Sequence, residues 1–392
     1  MFTLLIFIAV LAVLVLTHEF GHFIVARKNG IKVEEFGFGF PPRLVGIHKV
    51  GGKWRVVWGN KKVQHEVAES EHLPGTVYSI NWLPLGGFVK IKGEDAADEN
   101  AKDPDSFASK KAWQKASVLV AGVLMNVITA TVLLSIGFMI GSPTASDGSD
   151  ADKPQNRELQ VVEVLSGKPA EAAGVKPEDA IVKIDSIENP TLKDFQAYTN
   201  SHRDQEIAIT IKRGEELITK TMKPIVYEET GRAGIGVELV EIGFIKYPWH
   251  QAIYQGIIST GTELKRVAMG FGFLIKAIFT DDKAAGGVSG PVGVAIITGK
   301  FARLGFRYLL KLTALLSLNL ALLNILPIPA LDGGRLLFVV IGKIIRRPVT
   351  PRVEQFVHMI GFLLLMALVV AVTVNDIWMF KDTIVQFFSR ML

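Results

Sequence analysis

The sequence predicts a polytopic α-helical membrane protein with a water-soluble α+β domain inserted between its spans. Four apolar stretches are each near the roughly 20 residues that a bilayer's hydrocarbon core requires, and a polar segment with short strand-like runs separates the second from the third. The 392 residues are 49% hydrophobic and 21% charged, too apolar for an ordinary soluble protein, and disorder is excluded. No cysteine is present. That removes disulfide frameworks, thiolate zinc fingers, iron–sulfur clusters and cysteine nucleophiles, and leaves His, Asp and Glu to hold any metal. The net charge of +5 sits beside apolar helices, where basic residues act as topology signals. The expected partner is the lipid bilayer, with no nucleic acid.

Each span follows from local composition. Met1–Leu16 carries no charge and one hydroxyl, Thr3, and apolar character resumes over Phe20–Ala26 after an interruption. Basic residues (Arg27, Lys28, Lys32) follow this run instead of preceding it, so the segment reads as a span with its N-terminus outside and not as a cleaved leader. The remaining spans are expected at Ala116–Ile140, about Leu309–Leu331, and Phe356–Val374, which returns both termini to the outside. Lys110, Lys111 and Lys115 before the second span, and Lys343, Arg346, Arg347 and Arg352 between the third and fourth, agree with that orientation. Lys300, Arg303, Arg307 and Lys311 at the outer end of the third span oppose it.

Between the second and third spans a Ser-, Asp-, Pro- and Gly-rich linker (142–156) leads into a small mixed domain (157–242). Strand-like runs are expected at Leu159–Leu165, Ala180–Ile184, Glu206–Lys212 and Leu217–Met222, around a helix near Leu192–Ser201. The segment 243–305 follows. Within it Trp249–Thr280 places Ile253, Ile257, Leu264, Val267, Phe271, Leu274 and Ile278 at helical spacing among charges, which predicts an amphipathic helix on the membrane surface. The first membrane part is then 1–141 and the second 306–392.

The interruption in the first span reads His18-Glu19-Phe20-Gly21-His22. On a helix, residues i and i+4 share a face, so both imidazoles can meet one Zn²⁺ while Glu19 reaches its bound water as general base. Ionisable groups inside a span cost on the order of 2–3 kcal/mol each, so their retention points to function. The alternative is a polar cluster that only packs helices. A catalytic zinc site takes a third protein ligand. His48, His65, His72, His202, His250 and His358 stand isolated, and the better candidate is Asp332 in Asn324-Ile-Leu-Pro-Ile-Pro-Ala-Leu-Asp332-Gly-Gly-Arg335. With four spans, helices one and three run the same way, which brings Asp332 to the depth of His18 and His22. Asp332 also reads as a helix-end turn residue before Gly333-Gly334.

These motifs, with Leu85-Gly-Gly-Phe-Val-Lys-Ile-Lys-Gly-Glu94 and Ser289-Gly-Pro-Val-Gly293, resemble the bacterial site-2 protease family of intramembrane zinc metalloproteases over nearly the whole chain. The resemblance implies zinc on His18, His22 and Asp332, Glu19 as catalytic acid/base, and Asn324 in contact with substrate. It also implies that the Gly-rich segments Phe36–Phe40 and Gly86–Ile91, within about 33–93, fold as a re-entrant β hairpin. A helical peptide bond is shielded by its own hydrogen bonds and must unwind before hydrolysis, so an edge strand at Gly87, Phe88 and Val89 would hold the extended substrate by β-augmentation. The inserted domain resembles a circularly permuted bacterial PDZ domain with Gly234, Ile235 and Gly236 in the carboxylate-binding loop. There is room for one such domain, where some relatives carry two. Expected substrates are single-span membrane proteins, such as pre-trimmed anti-sigma factors or signal-peptide remnants. The expected place is the bacterial inner (plasma) membrane, with the PDZ-like domain and both termini extracytoplasmic and the active site toward the cytoplasmic side. Two other readings use the same residues: a non-proteolytic PDZ-bearing scaffold, which would hold no stoichiometric zinc, and an ion or metal transporter, which would show inverted repeats.

Overall fold

A computed structural model describes residues 2–50, 52–59, 75–94, 103–145, 155–214, 216–227, 231–280, 289–347 and 349–379. The chain forms two compact units, Met1–Leu134 with Gln255–Leu392, and Ser135–Tyr254.

The first unit begins with α1 (Phe2–Lys28), β1 (Val33–Val50), β2 (Lys53–Trp58), β3 (Val77–Ile91) and α2 (Ala112–Ile140). Its second half follows the inserted strands β4 (Ser142–Ala145) to β12 (Val237–Ile245) and comprises α5 (Trp249–Thr280), α6 (Pro291–Leu304), α7 (Phe306–Ile325), α8 (Asp332–Ile345) and α9 (Pro351–Met379). Among the described residues, α1, α2, α7 and α9 are long and apolar enough to cross a membrane. These are the four expected spans, with one correction. The third ends at Ile325 instead of near Leu331, because Pro327 disfavours helical geometry at Leu326, which is extended (φ −63°, ψ 143°). Asp332 therefore opens a separate helix, α8, instead of closing the third span.

The β region is larger than the expected hairpin: a three-stranded sheet in the order β2-β1-β3. The start of β1 lies between the two halves of β3. Phe36, Gly37 and Phe38 pair with Val89, Phe88 and Gly87 on one side and with Tyr78, Ser79 and Ile80 on the other. The register then jumps from Phe40 to Arg43 across Pro41-Pro42, and Val45–Val50 pairs with Trp58–Lys53. Gly37 is required by close approach, since a Cβ there would lie 2.6 Å from Ser79 Oγ and 2.8 Å from Asn81 Nδ2. That amide in turn donates to Gly39 O at 2.8 Å. Gly86 and Gly87 let β3 press onto α1, where a Cβ on Gly86 would come 2.8 Å from Val15 Cβ.

The remaining helices pack on this frame. The expected Trp249–Thr280 helix is present as α5, and its Leu264 packs against Ala130, Leu134, Ala314 and Leu318 of α2 and α7. α6 starts at Pro291, where the N–H groups of Gly290 and Gly293 donate to buried Asp376 of α9 at 3.1 and 2.7 Å. A carboxylate there satisfies donors that a helix N-terminus leaves open.

In the second unit β4, β5 (Gln155–Val164), β6 (Ala180–Ile184), β8 (Ile207–Arg213), β9 (Glu216–Met222) and β12 form one sheet in the order β4-β12-β5-β6-β8-β9, with β7 (Ile187–Glu188) on β6. β10 (Ile225–Val226) and β11 (Ala233–Gly234) make a small separate pair. Helices α3 (Pro169–Ala172) and α4 (Leu192–Ser201) complete the unit. The expected runs match β5, β6, β8 and β9 within a few residues, and α4 has its expected bounds. The expected linker loses both ends to the sheet: Ser142–Ala145 pairs with β12, and β5 begins at Gln155. Ile207, Ile209 and Ile211 bury alternate side chains in a core with Leu159, Val161, Ile184, Phe195 and Ile235. Thr191 caps α4 through a capping box, and its hydrogen bonds hold the Asp194 carboxyl below its usual range.

Buried Asp179 accepts from Arg213 Nε and Nη2 at 2.7 Å each and from the Lys176 N–H at 2.8 Å. Asp179→Ala removes the acceptor of the Arg213 Nε and Lys176 N–H groups, while Arg213 Nη2 keeps Gly174 O at 2.9 Å, and lowers the stability of this unit by about 2 kcal/mol. Hydrogen exchange on the full chain is expected to quicken in β6 and β8 and to leave α1 and α2 unchanged.

Candidate metal centre

His18 and His22 lie one turn apart on α1, both buried, with Nε2 atoms 3.1 Å apart. Asp332, at the start of α8, brings Oδ2 to 3.0 Å from His18 Nε2 and 3.3 Å from His22 Nε2. Ligands about 2.0–2.1 Å from a tetrahedral Zn²⁺ stand about 3.3 Å from each other, so these separations are those of a coordination shell. Oδ2 is buried, yet no hydrogen-bond donor is aligned on it. Two imidazole nitrogens and a carboxylate oxygen converging in this way suit a cation at their centre. Among the described residues this is the group of His, Asp and Glu side chains able to hold a metal ion. Glu19, half-buried beside His18, lies within electrostatic reach of His18, His22 and Asp332.

α2 sets the orientation of both rings. His22 Nδ1 lies 2.8 Å from Val118 O, so the Nδ1–H donates to that carbonyl and Nε2 keeps its lone pair for a metal. His18 Nδ1 faces the Asn126 amide at 3.3 Å, and the Asn126 Oδ1 otherwise has no partner. A half-turn of that amide presents Oδ1 to the Nδ1–H of His18 and frees its Nε2 in the same way. Gly122 makes room for both rings, since a Cβ there would lie 2.6 Å from His18 Cε1. Gly21 allows the helices to approach, with a Cβ there 2.8 Å from the Ala121 carbonyl carbon. Asn324, near the end of α7, reaches His18 Nε2 with its Nδ2 at 3.5 Å.

The loop before Asp332 is held from α9. Ala330 adopts φ +76°, a left-handed conformation uncommon for a non-glycine residue, and its N–H donates to His358 Nδ1 at 2.8 Å. Gly361 lets α9 approach this loop, because a Cβ there would lie 2.9 Å from the Pro329 carbonyl carbon. Gly334 packs under Ile328, where a Cβ would lie 2.9 Å from its carbonyl carbon. His358 and Asn126 escape sequence reasoning. Each is a polar residue flanked by apolar ones on a mostly apolar helix, and neither spacing nor motif marks it.

The structure gathers His18, Glu19, His22, Asn324 and Asp332 in one place, with the strand of Gly87, Phe88 and Val89 nearby. Gly87 sits on Leu16 of α1, its Cβ position 3.3 Å from Leu16 Cα. Gly87–Ile91 pairs with β1 on one side, and among the described residues no strand pairs with the other. Gly234, Ile235 and Gly236 belong to the second unit. The Ile235 side chain is in its core, its carbonyl accepts from Ala170 N–H at 2.9 Å, and Gly236 takes φ +84°. β12 follows directly, and over Val237–Glu241 β5 is its strand partner among the described residues.

A model of the family "Peptidase family M50" matches residues 6–58 and 63–368. The chain belongs to peptidase family M50. A Clostridium perfringens protein whose name places it among zinc metalloproteases is 34% identical over 367 residues, 93% of this chain and 95% of that one. Zinc metalloprotease RasP of Geobacillus kaustophilus is 30% identical over 457 aligned positions, 95% of this chain and 97% of its own. Family membership and a donor set that fits the ion make the chain a metalloprotease with zinc as its cofactor. The PDZ domain of an SdrC-like protein from Listeria monocytogenes is 25% identical over 22% of this chain and 92% of that one, with a TM-score of 0.21.

Gly122→Ala forces a methyl group against both imidazoles and His358→Ala releases Ala330. Each is expected to weaken zinc binding by about tenfold or more, read by competition with a chelating dye on purified protein.

Proposed function

We propose that this M50 protease cuts peptide bonds within membrane-spanning segments of single-span membrane proteins. One observation carries the reading: Oδ2 of Asp332 on α8 converges within 3.3 Å with the Nε2 atoms of His18 and His22, which lie on α1, a helix long and apolar enough to cross a membrane. His18 lies about 24 Å along α1, which is deep within a bilayer for a helix spanning it.

In this reading His18, His22 and Asp332 hold the zinc. When bound, zinc supplies Lewis acidity to the scissile carbonyl and to the attacking water. Glu19 takes a proton from that water and passes one to the leaving amine, which leaves Glu19 unprotonated for the next turnover. Asn324, with its amide beside His18, orients the substrate backbone. The open side of Gly87–Ile91 receives the substrate as an added strand, which unwinds the helix and exposes the bond. For this the β sheet re-enters the membrane alongside α1. The contact of Gly86 and Gly87 with Val15 and Leu16, in the turn before His18, supports that placement.

The second unit acts as a PDZ-like module. Gly234, Ile235 and Gly236 form its carboxylate loop, and the open side of β12 next to α4 takes the C-terminus of a pre-trimmed substrate. Anti-sigma factors and signal-peptide remnants fit this description. The protein sits in the bacterial inner membrane, with this unit and both termini outside and the metal toward the cytoplasm. The basic residues at 110, 111 and 115, and at 343, 346, 347 and 352, support that orientation.

A tagged single-span protein co-expressed with the wild type is expected to be cut within its span. Glu19→Gln lowers that cleavage at least about a hundredfold while zinc content stays stoichiometric. Equal cleavage by both would sink the assignment of Glu19. Asp332→Asn is expected to lose zinc and activity together, and 1,10-phenanthroline to stop wild-type cleavage until zinc is restored.

A further inference from the structure

Two segments that the reaction must hold in register, the strand Gly87–Ile91 and the helix start at Asp332, share an apolar cluster through Val89, Ile91, Leu336 and Val339 and are joined by an ion pair. Arg335 Nη1 donates to Glu94 Oε1. Arg335 lies on the first turn of α8, three residues after Asp332, and Glu94 lies three residues beyond the end of β3. Both side chains are largely sheltered, at 31% and 22% exposure, so the pair is screened less than one in open water. The stretch that carries Glu94 is itself fixed: Glu94 N–H donates to Ile91 O at 3.3 Å, Lys92 N–H to Lys32 O at 3.0 Å, and Phe107 N–H to Lys92 O at 2.8 Å. A pull on Glu94 is therefore transmitted to β3.

The strand has a second attachment at its other end, where Gly86 and Gly87 rest on Val15 and Leu16 of α1. One end of the strand is thus tied to the helix bearing His18 and His22, and the other to the helix bearing Asp332. The ladder to β1 fixes the strand within its sheet, so what these attachments set is the position of that sheet relative to the metal. A strand advances about 3.3 Å per residue and alternates its faces, so a slip of one residue brings a different peptide bond to the metal and turns the substrate over.

We propose that the Glu94–Arg335 ion pair is a positioning element that sets the register of the substrate strand against the metal and so selects the bond that is cut. The pair acts through β3 and α8, and neither residue touches the reacting atoms. This rests on the reading of Gly87–Ile91 as the substrate strand of an intramembrane protease. Arg335 also faces Glu354 and His358 of α9. A charge swap would set a carboxylate at 335 against Glu354, so a conservative variant is the better rescue.

The test uses the full-length protein in proteoliposomes, with the tagged single-span protein that the wild type cuts as probe and mass spectrometry to locate the cut. Glu94→Gln and Arg335→Gln are expected to keep stoichiometric zinc, to slow cleavage between about ten- and a hundredfold, and to spread it over neighbouring peptide bonds. Arg335→Lys, which keeps the charge, restores the single cut. The proposal is overturned if both neutral variants cut the wild-type bond alone, whether at the wild-type rate or with rate and zinc content falling together as in a merely structural role. Glu19→Gln in parallel separates the two readings: if it cuts as well as the wild type, the protease mechanism fails, and the register of the other variants is then no support.

Discussion

The meeting of two imidazoles and one carboxylate between α1 and α8 is the constraint on which the rest of the membrane unit depends. Two buried imidazoles and a half-buried carboxylate converge in apolar surroundings, and their mutual geometry suits a cation. Every neighbouring element answers to that arrangement. α2 approaches α1 through Gly21 and Gly122, and its Val118 carbonyl and Asn126 amide direct each lone pair inward. The prolines at 327 and 329 stop α7 and turn the chain so that a new helix begins with the carboxylate. α9 then holds the turn through His358 and Gly361.

The proposed cleavage of a bond inside a membrane span sets a second requirement. A helix hides its amides, so the enzyme must offer backbone partners that an unwound segment can use. In the proposed function the sheet supplies them beside the metal, and glycines at 37, 86 and 87 allow its strands to pack against each other and against a helix at distances that side chains forbid. The same sheet is tied to α8 by Glu94 and Arg335, which turns a binding surface and a metal centre into one framework.

Much of this is legible in the chain. The four spans follow from apolar length, the strands and α4 of the second unit from local periodicity, and His18, Glu19 and His22 from the i, i+4 geometry of a helix. Other features were legible only as a pattern shared with a family. Asp332 lies 310 positions from His22 (332 − 22), and no local rule connects them. The end of the third span was misplaced because an apolar run continues through Leu326–Leu331, while the prolines within it forbid the helix that hydropathy suggests.

What the sequence determined by itself is therefore whatever depends on near neighbours: which segments are apolar, which alternate, which histidines share a face, and, with no cysteine, which residue types remain for a metal. Only the tertiary structure decided that Asn126 and Val118 orient the rings, that His358 supports Ala330, that Gly122 is space for two imidazoles, and that Glu94 meets Arg335. These contacts join segments 28 to 241 residues apart. A single polar residue between apolar neighbours carries no periodicity to mark it, and its partner is settled only when packing brings the elements together.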